Sequence, residues 1–328
     1  MHILSLLAKW WRTWGTLPIY SWVKAAALYR KGQFAAAEKF YRSGLDRHAN
    51  HPASFCARID LAYCQFKLGR LDDAEQELRA VSTQLPQSRE AYLRMAKLQM
   101  WRGQSLEAAW TIRRALRNVP VDPEFAALYL ISALDSGAPG YLLNEALQVS
   151  QNIESDDKSS LRLQAARARA IMNTKLPSEE AYQTARTKLA QLAAAENAPF
   201  ETIIMFSEVL IAEGKIAHAR RLLRRALQSA ADYPRILSLL AETYLKSGPF
   251  YNAEYAKQLA TTACQNTTWA SPREMHILAE SYYHVGDKVS ALIIASKAKE
   301  LGSKLLGTYR DTKTLDRLIE SLSSGTQA

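Results

Sequence analysis

"LAYCQFKLGRLDDAEQELRAVSTQLP", residues Leu61 to Pro86, reads as two short helices joined at a glycine. Apolar residues return at helical spacing on both sides of Gly69, and glycine suits the reversal because it accepts positive φ without steric cost. Ala74 follows the glycine by five residues, Leu78 comes four later, and Pro86 closes the unit eight further on. "MAKLQMWRGQSLEAAWTIRRALRNVP", Met95 to Pro120, repeats the offsets with Gly103, Ala108, Ile112 and Pro120. "FSEVLIAEGKIAHARRLLRRALQSAA", Phe206 to Ala231, does so with Gly214, Ala219 and Leu223. A small residue is needed where two helices cross closely, since a larger one would force them apart.

Working outward, punctuating glycines stand at Gly32, Gly69, Gly103, Gly137, Gly214, Gly248 and Gly286, spaced 37, 34, 34, 77, 34 and 38 apart. The five-residue step recurs from Gly248 to Ala253 and from Gly286 to Ala291. A fixed period of this length is the mark of a repeat array. Between about 122 and 197 the pattern loosens: "SGAPGYLLNEAL" adds loop, and Pro177 replaces a turn glycine ahead of Ser178, a good helix start. Sparse Gly and Pro, abundant Ala, Leu, Arg, Gln and Glu, and no alternating β-branched run predict helix throughout.

The pattern resembles the tetratricopeptide repeat, a helix–turn–helix unit with a small residue at the helix crossing and proline at the exit. The resemblance covers roughly 18–300 and implies an all-α, right-handed α-solenoid of about eight repeats. The expected organisation is an N-terminal amphipathic helix over 1–17, repeats one to three over 18–121, two degenerate repeats over 122–197, repeats six to eight over 198–302, and a capping helix with a frayed tail over 303–328. That cap is expected from about Ser303 to Leu322.

Members of this family bind with the concave surface lined by the first helix of each repeat. Setting each turn glycine at position fifteen carries the family's lining positions onto Trp22, Ile59, Tyr63, Phe66, Leu93, Lys97, Met100 and Trp101 in the first half. In the second half they fall on Glu201, Glu208, Arg235, Glu242, His276 and Glu280. The expected partner-binding groove is Trp22, Tyr63, Leu93, Lys97, Met100, Trp101, Glu208, Glu242 and Glu280. Glu208, Glu242 and Glu280 occupy the ninth position of three successive repeats, where like charges repel unless they meet water or a cation. Such a groove fits an amphipathic helix or extended peptide with an apolar start and a basic end. The clamp by which some members hold an acidic chaperone tail needs Lys and Asn at positions five and nine; Ile59 and Tyr63 stand there in the second repeat.

The formal charge is +10, and no acidic residue precedes Glu38. Residues 2–17 form an amphipathic pattern, with Leu7, Trp10, Trp11 and Trp14 on an apolar arc and Lys9 and Arg12 opposite. As a membrane crossing it would place those cations near mid-bilayer at about 2.5–3.5 kcal/mol each. Two readings stay open: the helix lies in an anionic membrane interface, or it caps the first repeat. The basic clusters "RRALR" (Arg113 to Arg117) and "RRLLRR" (Arg220 to Arg225) lie on second helices, which the resemblance places on the convex side facing solvent. They lack the interleaved aromatics of a nucleic-acid site, so nucleic acid is not an expected partner.

No phosphate loop, HExxH, GxSxG or paired-cysteine spacing occurs. His48 and His51 read as a loop pair without metal, and Cys56 and Cys64 as small core residues of a reducing compartment. The expectation is therefore a non-enzyme with no catalytic residue, no metal and no cofactor. It would act as an interaction scaffold or adaptor holding a protein partner, in the cytoplasm, with peripheral membrane association through residues 1–17 as a further element. Two alternatives stand beside it: a membrane-tethered assembly factor of the bacterial cell envelope, and a regulatory subunit of an enzyme such as a glycosyltransferase.

Overall fold

The computed structural model describes residues 18–136, 140–153, 160–173, 177–304, 309 and 311–324. Residues 1–17, with Leu7, Trp10, Trp11 and Trp14, lie outside them, as does the turn glycine Gly137. The described residues form seventeen helices and no strand. They divide into an N-terminal unit within residues 1–98 and 115–119 and a C-terminal unit within 99–114 and 120–328.

The N-terminal unit holds α1 (Pro18–Arg30), α2 (Phe34–Arg47), α3 (Ser54–Lys67), α4 (Leu71–Gln84) and most of α5 (Arg89–Trp101). α1 packs on α2, α2 on α3 and α3 on α4, and α1 also packs on α3. Trp22, Tyr41, Leu45, Leu61 and Cys64 form the core between these pairs. The ring of Trp22 covers Gly44, where even a Cβ would collide with the indole.

The C-terminal unit begins with α6 (Ser105–Ala115), α7 (Pro123–Asp135), α8 (Gly140–Gln151) and α9 (Leu161–Met172). It continues through α10 (Glu179–Ala194), α11 (Phe200–Ala212), α12 (Ile216–Ser229) and α13 (Pro234–Leu245). It ends with α14 (Ala253–Asn266), α15 (Pro272–Val285), α16 (Lys288–Lys304) and α17 (Thr312–Ser324). From α7 onward neighbours in sequence pack together, and the odd-numbered helices α7, α9, α11, α13 and α15 also pack each on the next as an inner row. All ten residues from Phe125 to Leu134 are buried, as expected of a helix apolar on every side.

The turns follow the sequence. Gly32, Gly69, Gly103, Gly214, Gly248 and Gly286 all have positive φ. After the glycine the chain bonds back five residues, Arg70 N–H to Gln65 O at 2.9 Å and Gln104 N–H to Gln99 O at 2.8 Å, closing the helix end. The crossing alanines Ala74, Ala108, Ala219 and Ala291 are fully buried. The repeat at Gly248 departs from this. Its turn is longer, α14 starts only at Ala253, and the buried small residue is Ala256, the fourth of its helix as Ala74 is of α4. Ser178 caps α10, its Oγ accepting from Ala181 N–H at 3.2 Å.

Three expectations need correction. The last helix starts at Thr312 instead of near Ser303, because α16 runs on to Lys304. Cys56 is exposed, while Cys64 and Cys264 are buried free thiols. The basic clusters are a solvated face only in part: Arg114, Arg117, Arg221 and Arg224 are exposed, but other members of the clusters, and Arg224 as well, are held by neighbours. Arg113 pairs with Glu145 at 2.9 Å, Arg224 donates to Tyr244 Oη at 2.5 Å, and Arg225 reaches the carbonyls of Ala193 and Ala194 at the end of α10. Arg220 is buried, donates to Thr243 O at 2.6 Å and lies over the Tyr244 ring at 4.5 Å. Arg113 thus fastens α6, and Arg220, Arg224 and Arg225 fasten α12, to neighbouring helices. Arg220→Ala is therefore expected to cost about 2 kcal/mol, from a lost charge-assisted bond to a buried carbonyl and lost stem packing. Equilibrium denaturation of the whole chain measures it.

Candidate functional site

In the N-terminal unit α1 and α3 end beside the start of α2, and four rings gather there. Tyr63 lies 5.2 Å from Tyr29, 6.0 Å from Phe34 and 6.1 Å from Phe66, centroid to centroid. All four are half-buried, so their edges stay open to solvent. Lys67 stands over the Tyr63 ring at 5.5 Å and Arg94 at 5.4 Å, distances typical of cation–π contact. Of the other expected lining residues here, Lys97 is exposed and Leu93 is buried. Trp22 is 8% exposed, spent on Gly44 and on the His51 ring at 5.5 Å. Leu93 and Trp22 are thus core instead of groove: the lining register names a helix face, and part of that face packs on the adjoining repeat.

The inner row of the C-terminal unit curls until its last member meets its first. Arg273 of α15 pairs with Asp135 of α7, Nη1 to Oδ1 at 2.5 Å, while Ser105 Oγ donates to Asp135 Oδ2 at 2.7 Å. Trp101 donates its Nε1–H to Asn266 O at 2.8 Å and meets Tyr233 edge-on at 5.4 Å; Tyr233 in turn packs on Phe200 at 4.7 Å. Gly103 sits directly against Ser271. Beside this seam Arg235 pairs with Glu208, Nη2 to Oε1 at 2.6 Å, and Arg162 with Glu201 at 3.1 Å. Burial pushes the Asp135 carboxyl up, but Arg273 and Arg235 outweigh it and hold it at about 2; the same two arginines hold Glu208 below the usual carboxylate range. Trp101 and Glu208 are therefore partnered within the chain, which corrects their assignment to an open groove. Met100 is half-buried.

The other two ninth-position glutamates are placed differently. Arg235 and Glu242 lie seven residues apart on α13, and Arg273 and Glu280 seven apart on α15. In each helix the arginine is neutralised by a carboxylate of another inner helix, Arg235 by Glu208 and Arg273 by Asp135, and the glutamate two turns on has no such arginine. Glu242 has Lys246 at 3.3 Å, and the nearest charge-capable group to Glu280 is His276 Nε2 at 3.6 Å. Both carboxylates keep part of their surface open, 21% and 33%. Burial, with the charge of Glu242, pushes Glu280 up to about 7. Burial lowers the His276 ring, whose Nδ1 meets Tyr309 Oη at 3.1 Å.

Sequence reasoning missed Arg273, Asp135, Tyr233 and Tyr309. Two were within reach: counting back from Gly286 puts Arg273 at the second position, and counting back from Gly137 puts Asp135 at the thirteenth. The helix pairs and inner row define an α-solenoid. A family model described as tetratricopeptide repeat matches residues 28–91 and 210–250. The chain thus carries tetratricopeptide repeats at those residues, within an all-α solenoid.

Among solved structures, the chain is similar to one in the APC/C hetero-tetramer Cut9–Hcn1, with TM-score 0.65 and 13% identity over 93% of this chain and 63% of that one. It is similar to an IFIT1 monomeric mutant with Gppp-AAAA, with TM-score 0.51 and 16% identity over 89% and 70%. A tetratricopeptide repeat protein from Parabacteroides merdae matches at TM-score 0.39 and 10% identity over 93% and 98%. Among curated proteins none matches the sequence. Among the described residues no helix is long and apolar enough to cross a membrane, and no group of His, Cys, Asp and Glu converges to hold a metal ion.

Proposed function

We propose that this chain is a non-enzymatic interaction scaffold that holds a peptide or helix of a protein partner against the inner faces of its repeats. The observation that carries this reading is the ring cluster of Tyr29, Phe34, Tyr63 and Phe66. Rings meeting edge to face or tilted at these distances form a stiff apolar shelf whose ordering cost is already met by the fold. Lys67 over Tyr63 adds a donor at its rim for the carbonyls or carboxylates of a bound segment, while Arg94, held by Glu90 and Asp60, fixes the ring. Aromatic anchors ringed by polar groups are where binding energy concentrates in protein interfaces. The fold agrees, since solenoids of this family generally serve protein association.

The test is selection of short random peptides displayed against the whole chain, followed by affinity measurement on wild type and on Tyr63→Ser/Phe66→Ser. Both rings are partly exposed, so the variant keeps its core. The expected result is at least a tenfold loss of affinity for the selected peptides. Peptides that bind the double variant as tightly as wild type would overturn the reading.

A further inference from the structure

The cluster "RRLLRR" of α12 contains no aromatic residue, yet the fold supplies rings to it from the next helix pair. The buried guanidinium of Arg220 lies over two rings at once, 4.5 Å from the centroid of Tyr244 and 5.0 Å from that of Phe250. It donates to Thr243, to Oγ1 at 3.3 Å and to the carbonyl oxygen at 2.6 Å, which fixes it in that slot. Tyr244 is buried, while Phe250 keeps 58% of its surface exposed. Since the guanidinium covers one face of the Phe250 ring, that exposure belongs to the opposite face and the edges. The turn that carries the ring is held down by Asn252 N–H to Tyr244 O and Tyr251 N–H to Gly248 O, both at 3.0 Å.

Charge and further aromatic surface adjoin this ring. Arg224, exposed and one turn on from Arg220, donates to Tyr244 Oη at 2.5 Å, which engages one of the five donors a guanidinium has. Arg221, three residues before Arg224 and so on the same side of α12, is exposed as well. Tyr255 meets the Tyr244 ring edge-on at 4.9 Å and is 40% exposed. α12 carries no carboxylate, and those of α13 and α14, Glu242 and Glu254, are paired with Lys246 at 3.3 Å and Lys257 at 2.7 Å.

We propose that this place binds single-stranded nucleic acid, with one base stacked on the open face of Phe250 and neighbouring phosphates on Arg221 and Arg224. Every base has a π face, and a ring already fixed from behind is a platform for one at little further ordering cost. Guanidinium groups match phosphate oxygens through paired N–H donors. A duplex covers both faces of each base with its neighbours, whereas a single strand can offer one. An acidic peptide would use the same arginines but give the ring no planar partner. The net charge of +10 draws polyanions to the chain in general, so the ring is what makes the site specific for bases. The site shares no residue with the ring cluster of the N-terminal unit. The inference therefore goes beyond the scaffold reading and does not depend on it.

The probe is fluorescein-labelled oligo(dA), titrated into the whole chain and followed by fluorescence anisotropy. An abasic strand of the same length and poly-glutamate serve as competitors. The expected result is saturable binding that both competitors displace less well than unlabelled oligo(dA). Phe250→Leu keeps an apolar cover on Arg220 and removes the aromatic face. It should weaken binding about fivefold or more, the low end for losing one stacked base. Two phosphate contacts correspond to about a sevenfold loss of affinity between 50 and 200 mM salt, and Arg221→Gln/Arg224→Gln should flatten that dependence. Melting temperatures check that both variants fold. The inference is overturned if oligo(dA) does not bind or if Phe250→Leu binds it as wild type does. Equal competition by the abasic strand or by poly-glutamate also overturns it, as does an unchanged salt dependence in the arginine variant. The Tyr63/Phe66 experiment reports on the scaffold reading separately, so either can fail without the other.

Discussion

Arg273→Met is expected to lower the stability of the chain by about 3 kcal/mol at neutral pH, the low end for removing one partner of a buried ion pair. In a body of this size that corresponds to a fall of roughly 6–12 °C in melting temperature. The substitution keeps most of the side-chain volume, so the loss comes from Asp135, left with the Ser105 Oγ bond at 2.7 Å and the unbonded charge of Arg235 in place of its direct ion pair. The double variant Asp135→Asn/Arg273→Met should recover most of the loss. If it is no more stable than Arg273→Met, the pair is not the source. The pH dependence is fixed by the same geometry. The folded chain holds Asp135 at about 2, below the value of about 3.9 of an unfolded chain. The contribution of the pair is therefore complete above about pH 4 and is lost as pH falls through about 2. Wild type and variant should converge in acid, and melting curves across that range show whether they do.

Gly103→Ala is the second large effect, and Gly69→Ala is its control. Both glycines have positive φ, 74° and 76°, which costs an L side chain about 1–2 kcal/mol. At Gly69 an added Cβ meets nothing within 4 Å, so that cost is all there is. At Gly103 the Cβ would run into Ser271 Oγ and Cβ, and Ser271 is fully buried and bonded to Glu274. Relief requires the seam between the Gly103 turn and α15 to open, which also disturbs Trp101 and Arg273. Gly103→Ala should cost roughly twice as much as Gly69→Ala or more, taking overpacking at about 1–3 kcal/mol. Equal losses at the two sites, measured by chemical denaturation, would show that the seam does not close as described.

The helix pairs were legible in the sequence because their determinants are local. A glycine, an alanine four residues into the next helix and a 34-residue period involve side chains within one or two turns of each other. The lining register was legible for the same reason: a helix face is a matter of 3.6-residue periodicity. It put Glu208, Arg235, Glu242, His276 and Glu280 on first helices of their repeats, without showing which were spoken for. The basic clusters show where local reading fails. "RRLLRR" looks like a solvated stripe, yet Arg220 is buried because Thr243, Tyr244 and Phe250 arrive from the next helix pair to cover it.

What the sequence alone determined is the kind of fold: helix pairs of the tetratricopeptide type, turned at glycines. Which inward-facing residues stay available was decided only by tertiary structure. Trp101 and Asn266 are 165 residues apart, and Asp135 and Arg273 are 138 apart. They meet because small rotations between successive helix pairs add up until the inner row closes on itself, and no single repeat encodes that sum. The closure uses up Trp101, Glu208, Arg235 and Arg273, and leaves Glu242 and Glu280 on the two helices that complete the curl.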